Sequence, residues 1–185
     1  MGKSLDEVQQ QFKDEIFIPE TRPLRQFFFC PVGLVGAGKT TITKPIAKHF
    51  GLVRVSSDEF RKLLKKNGHS YEKLRPRLKE VAKELIKEGY SIAFDMDCGN
   101  PETKGFIEQA SEERNIPIFW VHIDTPEEFI FEKFKKHPPS WLTSDPQKMI
   151  DNYKAQKKLR AKQNTHFDFI YTFDTSRGDV NQQIQ

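Results

Sequence analysis

The sequence predicts an α/β fold, a parallel five-stranded sheet with helices on both faces. Five short apolar runs, rich in aromatic and β-branched residues, alternate with stretches of helical periodicity. Strands separated by helices need crossover connections, and these produce a parallel sheet buried on both sides. A second observation is the segment Gly33-Leu34-Val35-Gly36-Ala37-Gly38-Lys39-Thr40, which matches G-x-x-x-x-G-K-[ST] and joins the first apolar run to the first helical pattern.

Taken in order, residues 1–25 read as an N-terminal appendage, with a short amphipathic stretch around Leu5, Val8 and Phe12 followed by Pro19 and Pro23. The domain proper spans 26–185. Residues 26–30 (QFFFC) form the first strand, apolar on both sides. Lys39–Phe50 is helical, although Pro45 lies inside it and should kink it. Leu52–Val55 is a strand. Asp58–Asn67 and Tyr71–Glu88 have helical spacing, the second with Leu74, Leu78, Val81 and Leu85 on one face. Tyr90–Phe94 is a strand, Pro101–Arg114 a helix, Ile116–Ile123 a strand and Pro126–Lys136 a helix. HPPSWLTSDP (137–146) carries three prolines and cannot be regular structure. Gln147–Gln163 is a helix and Phe167–Phe173 the last strand. Ligands on such sheets bind beyond the carboxyl ends of the strands.

The 185 residues suffice for one domain with a substantial core. Hydrophobic residues make up 36% and charged residues 30%, and 16 phenylalanines supply burial, which excludes a wholly disordered chain. No run approaches the roughly 18 apolar residues of a membrane helix. The start, MGKSLDEVQQQF, has no apolar segment of a secretory signal, and Asp6 stands where a myristoylation signal needs Ser or Thr. Two cysteines, Cys30 and Cys98, argue against a disulfide framework and point to a reducing, cytoplasmic setting. They lie near the ends of two strands, as buried thiols. The histidines show no metal-binding spacing.

The net charge is +4, but residues 59–89 carry ten Lys and Arg against five Glu, and residues 132–164 nine against three acidic residues. Such basic stretches suit a polyanion, nucleotide or nucleic acid, and equally suit solvated helix faces.

The glycine-rich segment points to phosphate binding. Its glycines let successive N–H groups turn toward one anion, and the helix opening at Lys39 adds its N-terminal amides and dipole. Gly33, Val35, Gly36, Ala37, Gly38, Lys39, Thr40 and Thr41 are the candidate nucleotide cradle. Lys39 can reach β- and γ-phosphates, and the Thr40 hydroxyl is a hard ligand for Mg²⁺. No guanine-reading segment is present, which favours ATP. Asp58 follows the second strand, at the crevice mouth, where a carboxylate can accept the proton of an attacking hydroxyl. Arg61, one turn on, can hold an acceptor's anionic group. The alternatives are a helix cap for Asp58 and a surface ion pair for Arg61. Asp95 follows the third apolar run, where an acidic residue holds Mg²⁺; Asp97 is second to it, and either can instead cap the helix near Pro101.

The order GLVGAGKTT, SSDEFR, AFDMD, HIDTPEE and FDTS resembles the P-loop kinases of the polynucleotide kinase and zeta-toxin group, and more distantly gluconate and shikimate kinases. The resemblance covers about residues 26–180. It implies a three-layer P-loop NTPase fold with strand order 2-3-1-4-5 and a short lid at about 137–147, containing Trp141. It implies Asp58 as general base, Arg61 as acceptor ligand and Asp95 as metal helper. It also places Thr175, Ser176 and Arg177 near the adenine. The family's arginines after D-x-P-E-E are replaced here by Lys133, Lys135 and Lys136, with no arginine until Arg160, and Lys104 stands where relatives often have arginine. Lys133, Lys136 and Arg160 are the candidate clamps of the transferred phosphoryl group.

These readings predict an ATP- and Mg²⁺-dependent phosphotransferase acting on a hydroxyl of a small molecule, a nucleoside or nucleotide, or a nucleic-acid 5′ end. The absent lid arginines motivate an alternative, an ATP-binding regulatory or adaptor protein; a nucleic-acid-stimulated NTPase is a third reading.

Overall fold

The computed structural model describes residues 2–137, 145–163, 165–178 and 180–184. Five parallel strands form one sheet in the order β2-β3-β1-β4-β5. They are β1 (Phe28–Val32), β2 (Val53–Ser56), β3 (Ile92–Asp95), β4 (Ile118–Ile123) and β5 (Phe169–Phe173). The helices among the described residues are α1 (Leu5–Glu15), α2 (Lys39–Phe50), α3 (Ser57–Lys66), α4 (Leu74–Lys87), α5 (Pro101–Arg114), α6 (Glu127–Lys136), α7 (Pro146–Lys162) and α8 (Val180–Ile184). The fold is the P-loop NTPase fold, with the strand order expected.

Strand alternation sorts the core into two layers. Phe28, Cys30, Val53, Val55, Ile92 and Phe94 face one core, under α1, α3, α4 and α5. Phe29, Ala93, Val121 and Ile123 face the other, under α2, α6 and α7. Helices on both faces bury β1 and β3 along their length, whereas the edge strand β5 leaves Phe169, Ile170 and Tyr171 exposed, so the sheet is not covered on both faces at that edge. Cys30 and Cys98 are buried free thiols; burial, and then a hydrogen bond between them, pushes the Cys30 thiol well above its ordinary value.

Several boundaries differ from the periodicity. β1 starts at Phe28 because pairing starts there, opposite Ile92 and Ile118. Pro31 is tolerated in this central strand because the β1–β3 pairs run no further than Phe29–Ala93, so its missing N–H faces no ladder on that side. Helix α2 runs through Pro45 as one element. The carbonyl that loses its partner belongs to exposed Thr41, which water can reach.

Residues 1–25, set apart by sequence as an appendage, contribute α1 to the first core. Ser4 and Glu7 close a capping box, and Val8 and Phe12 are fully buried. Phe12 packs 4.9 Å from the Phe60 ring of α3. Arg77 of α4 reaches Asp6 at 2.7 Å and Gln9 at 2.9 Å. Among the described residues no helix is long and apolar enough to cross a membrane.

Candidate active site

The carboxyl ends of β1, β2 and β3 open onto a cavity of about 560 Å³. One end of it is the loop between β1 and α2. Gly36 and Gly38 hold φ of +81° and +98°, which L side chains rarely adopt. A Cβ on Gly36 would lie 2.4 Å from the Phe134 ring of α6, and one on Gly38 would lie 2.6 Å from Thr175 Oγ1. The loop is therefore clamped between α6 and the turn after β5. Its Ala37 carbonyl accepts from Thr125 Oγ1 at 2.9 Å and Thr175 Oγ1 at 2.7 Å. Gly38 caps α2 without a side-chain bond, so the first-turn amides are left for an anion.

The Lys39 ammonium donates to the carbonyls of Gly33 (2.9 Å) and Leu34 (3.0 Å). Burial lowers its pKa, opposed by the charges of Asp97, Asp95 and Asp58 among others. All three carboxylates line the same cavity as this ammonium. Val35 N–H donates to the Gln156 side chain of α7 at 3.1 Å.

Thr40 Oγ1 donates to Asp95 Oδ1 at 2.9 Å. Asp95 ends β3 beside Ser56, its register partner on β2, and is 5% exposed. Burial raises its pKa; the Thr40 hydroxyl and the Arg54 guanidinium, 2.6 Å from Oδ2, pull it back. A hydroxyl and a carboxylate in contact beside a phosphate-binding loop are hard oxygen donors of the kind that hold Mg²⁺ together with phosphate oxygens and water, so the residues present fit that ion. Among the described residues no group of three or more His, Cys, Asp and Glu forms a metal cage.

Across the cavity stand Asp58 and Arg61, in the first turns of α3 and joined by a 2.7 Å ion pair. The cap of α3 is Ser56, whose hydroxyl accepts from Glu59 N–H, so Asp58 is free of the capping role. Asn100 likewise caps α5, and neither Asp95 nor Asp97 does. Asp97 lines the cavity and pairs with Arg160 of α7, whose guanidinium lies over Gly99.

Of the candidate residues, Val35, Gly36, Gly38, Lys39, Thr40, Thr41, Asp58, Arg61, Asp95 and Lys133 line this one cavity. Burial lowers the Lys133 pKa. Gly33 and Ala37 support the loop from behind through their carbonyls. Lys136 does not join them: it is exposed and pairs with Glu132 at 3.0 Å. Ser176 also lies off the cavity wall, bound through N–H and Oγ to Asp174 Oδ1 at 2.9 and 2.6 Å. Trp141 and residues 138–144 of the expected lid lie outside the described residues.

The structure adds residues that the motifs did not mark. Tyr71, Arg75 and Lys79 reach the cavity from α4 and the turn before it, with Phe106 of α5 and Met96 after β3. Tyr71, Leu74, Arg75, Leu78, Lys79 and Ala82 form a stripe at helical spacing adjoining the core stripe, a signal the sequence holds. Arg54, Thr125 and Gln156 carry no such signal.

A glycine-rich loop clamped at a helix N-terminus, with carboxylates at the ends of the next two strands, defines a P-loop nucleotide-binding protein. The chain belongs to the AAA domain family, which it matches over residues 29–156. Solved structures share the fold at low identity. The APS kinase CysC of Mycobacterium tuberculosis, bound to AMPPNP and APS, is 17% identical with a TM-score of 0.58, over 87% of this chain and 95% of that one. The PezAT toxin–antitoxin system of Streptococcus pneumoniae is 13% identical with a TM-score of 0.60, over 96% and 82%. Shikimate kinase of Acinetobacter baumannii with shikimate is 23% identical with a TM-score of 0.51, over 86% and 89%. No curated protein matches the sequence significantly.

Proposed function

We propose that this protein is an ATP- and Mg²⁺-dependent phosphotransferase of the P-loop kinase type, within the polynucleotide kinase and zeta-toxin group, that phosphorylates a hydroxyl. One observation carries the reading: a single cavity has the loop Val35–Thr41 at one wall and the Asp58–Arg61 pair at another. The loop amides and Lys39 hold the triphosphate. Thr40 and Asp95 would hold Mg²⁺, which neutralises charge on the β- and γ-phosphates when bound. The bound AMPPNP of the APS kinase supports ATP as donor.

Asp58 takes the proton of the acceptor hydroxyl. The hydroxyl oxygen bonds to the γ-phosphorus, the bond from phosphorus to the β–γ bridging oxygen breaks, and ADP departs with that electron pair. Lys133, on the cavity wall, supplies cationic charge to the transferring group, and Arg160, outside that wall, offsets the negative charge of Asp97 by pairing with it. Lys136, tied to Glu132, is left out of this role. Two buried free thiols support residence in a reducing compartment such as the cytoplasm.

The test is Asp58→Asn. ATP binding by calorimetry should persist, while transfer of labelled γ-phosphate falls by about 100-fold or more. Undiminished transfer by this variant removes Asp58 from the base role. Mg²⁺–ATP that gives no binding heat with the unaltered protein removes the reading as a whole.

A further inference from the structure

We infer that Arg54 is a positioning residue for the carboxylate that would hold Mg²⁺. It fixes the orientation of Asp95 from behind, and on the phosphotransfer reading above this is what lets Mg²⁺ tighten the hold on ATP. The placement starts in β2. Val53 and Val55 point into the core under α1, α3, α4 and α5. Alternation turns Arg54 to the opposite face, which it shares with Ala93 of the second core and with Asp95. Arg54 is the register partner of Ala93, and Ser56 that of Asp95. Arg54 and Asp95 are therefore diagonal neighbours on one face, within reach of a long side chain.

The contacts give the two carboxylate oxygens different partners. Asp95 Oδ2 accepts from Arg54 Nη1 at 2.6 Å, and Oδ1 accepts from Thr40 Oγ1 at 2.9 Å. One oxygen is held at the back while the other is turned to the hydroxyl in the first turn of α2. Among the described residues Arg54 is the cation that pairs with Asp95. Removing it takes the counter-charge from a nearly buried carboxylate. The other arm, Nη2, pairs with Glu59 in the first turn of α3, next to Asp58. A planar fork can hold both carboxylates at once, whereas an ammonium is a single point charge. The Arg54 side chain is 17% exposed. A guanidinium at so covered a strand position costs desolvation that an apolar side chain would avoid. The pairing with Asp95 offsets that cost and gives the carboxylate the kind of outer partner that orients metal ligands.

The readout is the gain in ATP affinity that Mg²⁺ confers. Calorimetry on the full chain gives it as the ratio of the Kd in EDTA to the Kd in saturating Mg²⁺. Arg54→Gln should lose about 10-fold of that gain. Its Kd in EDTA should be unchanged, which also shows that the variant is folded. Arg54→Lys should recover part of the loss. Asp95→Asn should lose the gain as well. The double variant should lose no more than Asp95→Asn alone, because Arg54 acts through that carboxylate.

The inference is overturned if Arg54→Gln keeps the full gain, if its affinity falls equally in EDTA and in Mg²⁺, or if the losses of the two single variants add in the double. If Arg54→Gln does not fold, Arg54→Lys decides: a full gain overturns the inference and a partial one supports it. None of these measurements needs an acceptor or turnover, so the two claims fail separately. An Arg54-dependent gain in a protein that never transfers the γ-phosphate sinks the phosphotransfer reading alone. Asp58-dependent transfer, with a gain indifferent to Arg54, sinks only the inference.

Discussion

Gly38 shows how tightly a single position can be held. It combines a φ of +98° with a neighbour, Thr175 Oγ1, at 2.6 Å from any added Cβ. Gly38→Ala must therefore both strain the backbone and push aside the hydroxyl that holds Ala37. We expect this variant to lose measurable ATP binding while the far-ultraviolet circular dichroism is kept; calorimetry with Mg²⁺–ATP checks it. The residues of the loop were legible in sequence because a phosphate cradle needs glycine, lysine and threonine at invariable offsets. Arg54 was not, because an arginine in a strand earns its meaning only when β3 brings Asp95 beside it. Gln156 was not, for the same reason: 121 positions separate it from its partner, Val35.

At the scale of elements, α1 has the largest consequence. It packs against α3 and α4, the helices that carry Asp58, Arg61, Arg75 and Lys79. Phe12→Ala removes a ring that is 2% exposed and should cost about 3–5 kcal/mol in urea unfolding. The cap of α1 has a pH signature. Hydrogen bonds from Ser4, backbone first, hold the Glu7 carboxyl below its ordinary 4.5. A depressed carboxylate contributes stability that is present above its unfolded-state pKa and lost as pH falls through the folded one. Glu7→Ala should thus melt below the wild type at pH 7, and the gap should narrow as pH falls below 4.5; equal melting at pH 7 contradicts the capping box. The helices α2 and α5 were legible to the residue because glycine, proline and asparagine mark their ends. Strand starts came out one or two residues late, since a strand begins where its neighbour's ladder begins and apolar runs extend past it.

At the scale of the molecule, the cavity joins segments from residue 35 to residue 156, so ligand binding is coupled to the whole fold. Mg²⁺–ATP at 100 times its Kd should add about 2.7 kcal/mol, a rise in Tm of roughly 5–10 °C for a chain of this size. Lys39→Ala should abolish that rise, and chelation of Mg²⁺ should reduce it; a scanning calorimeter reads both. Sequence alone was enough for the alternation of strands and helices, the loop at 33–40 and the carboxylates at 58 and 95, because periodicity and turn chemistry are local properties. Tertiary structure alone decided that α1 belongs to the core, that Lys133 faces the cavity while Lys136 turns to Glu132, and that Arg54 of β2 meets Asp95 of β3. Those outcomes depend on which faces meet across the sheet, and packing sets that only once every element is in place.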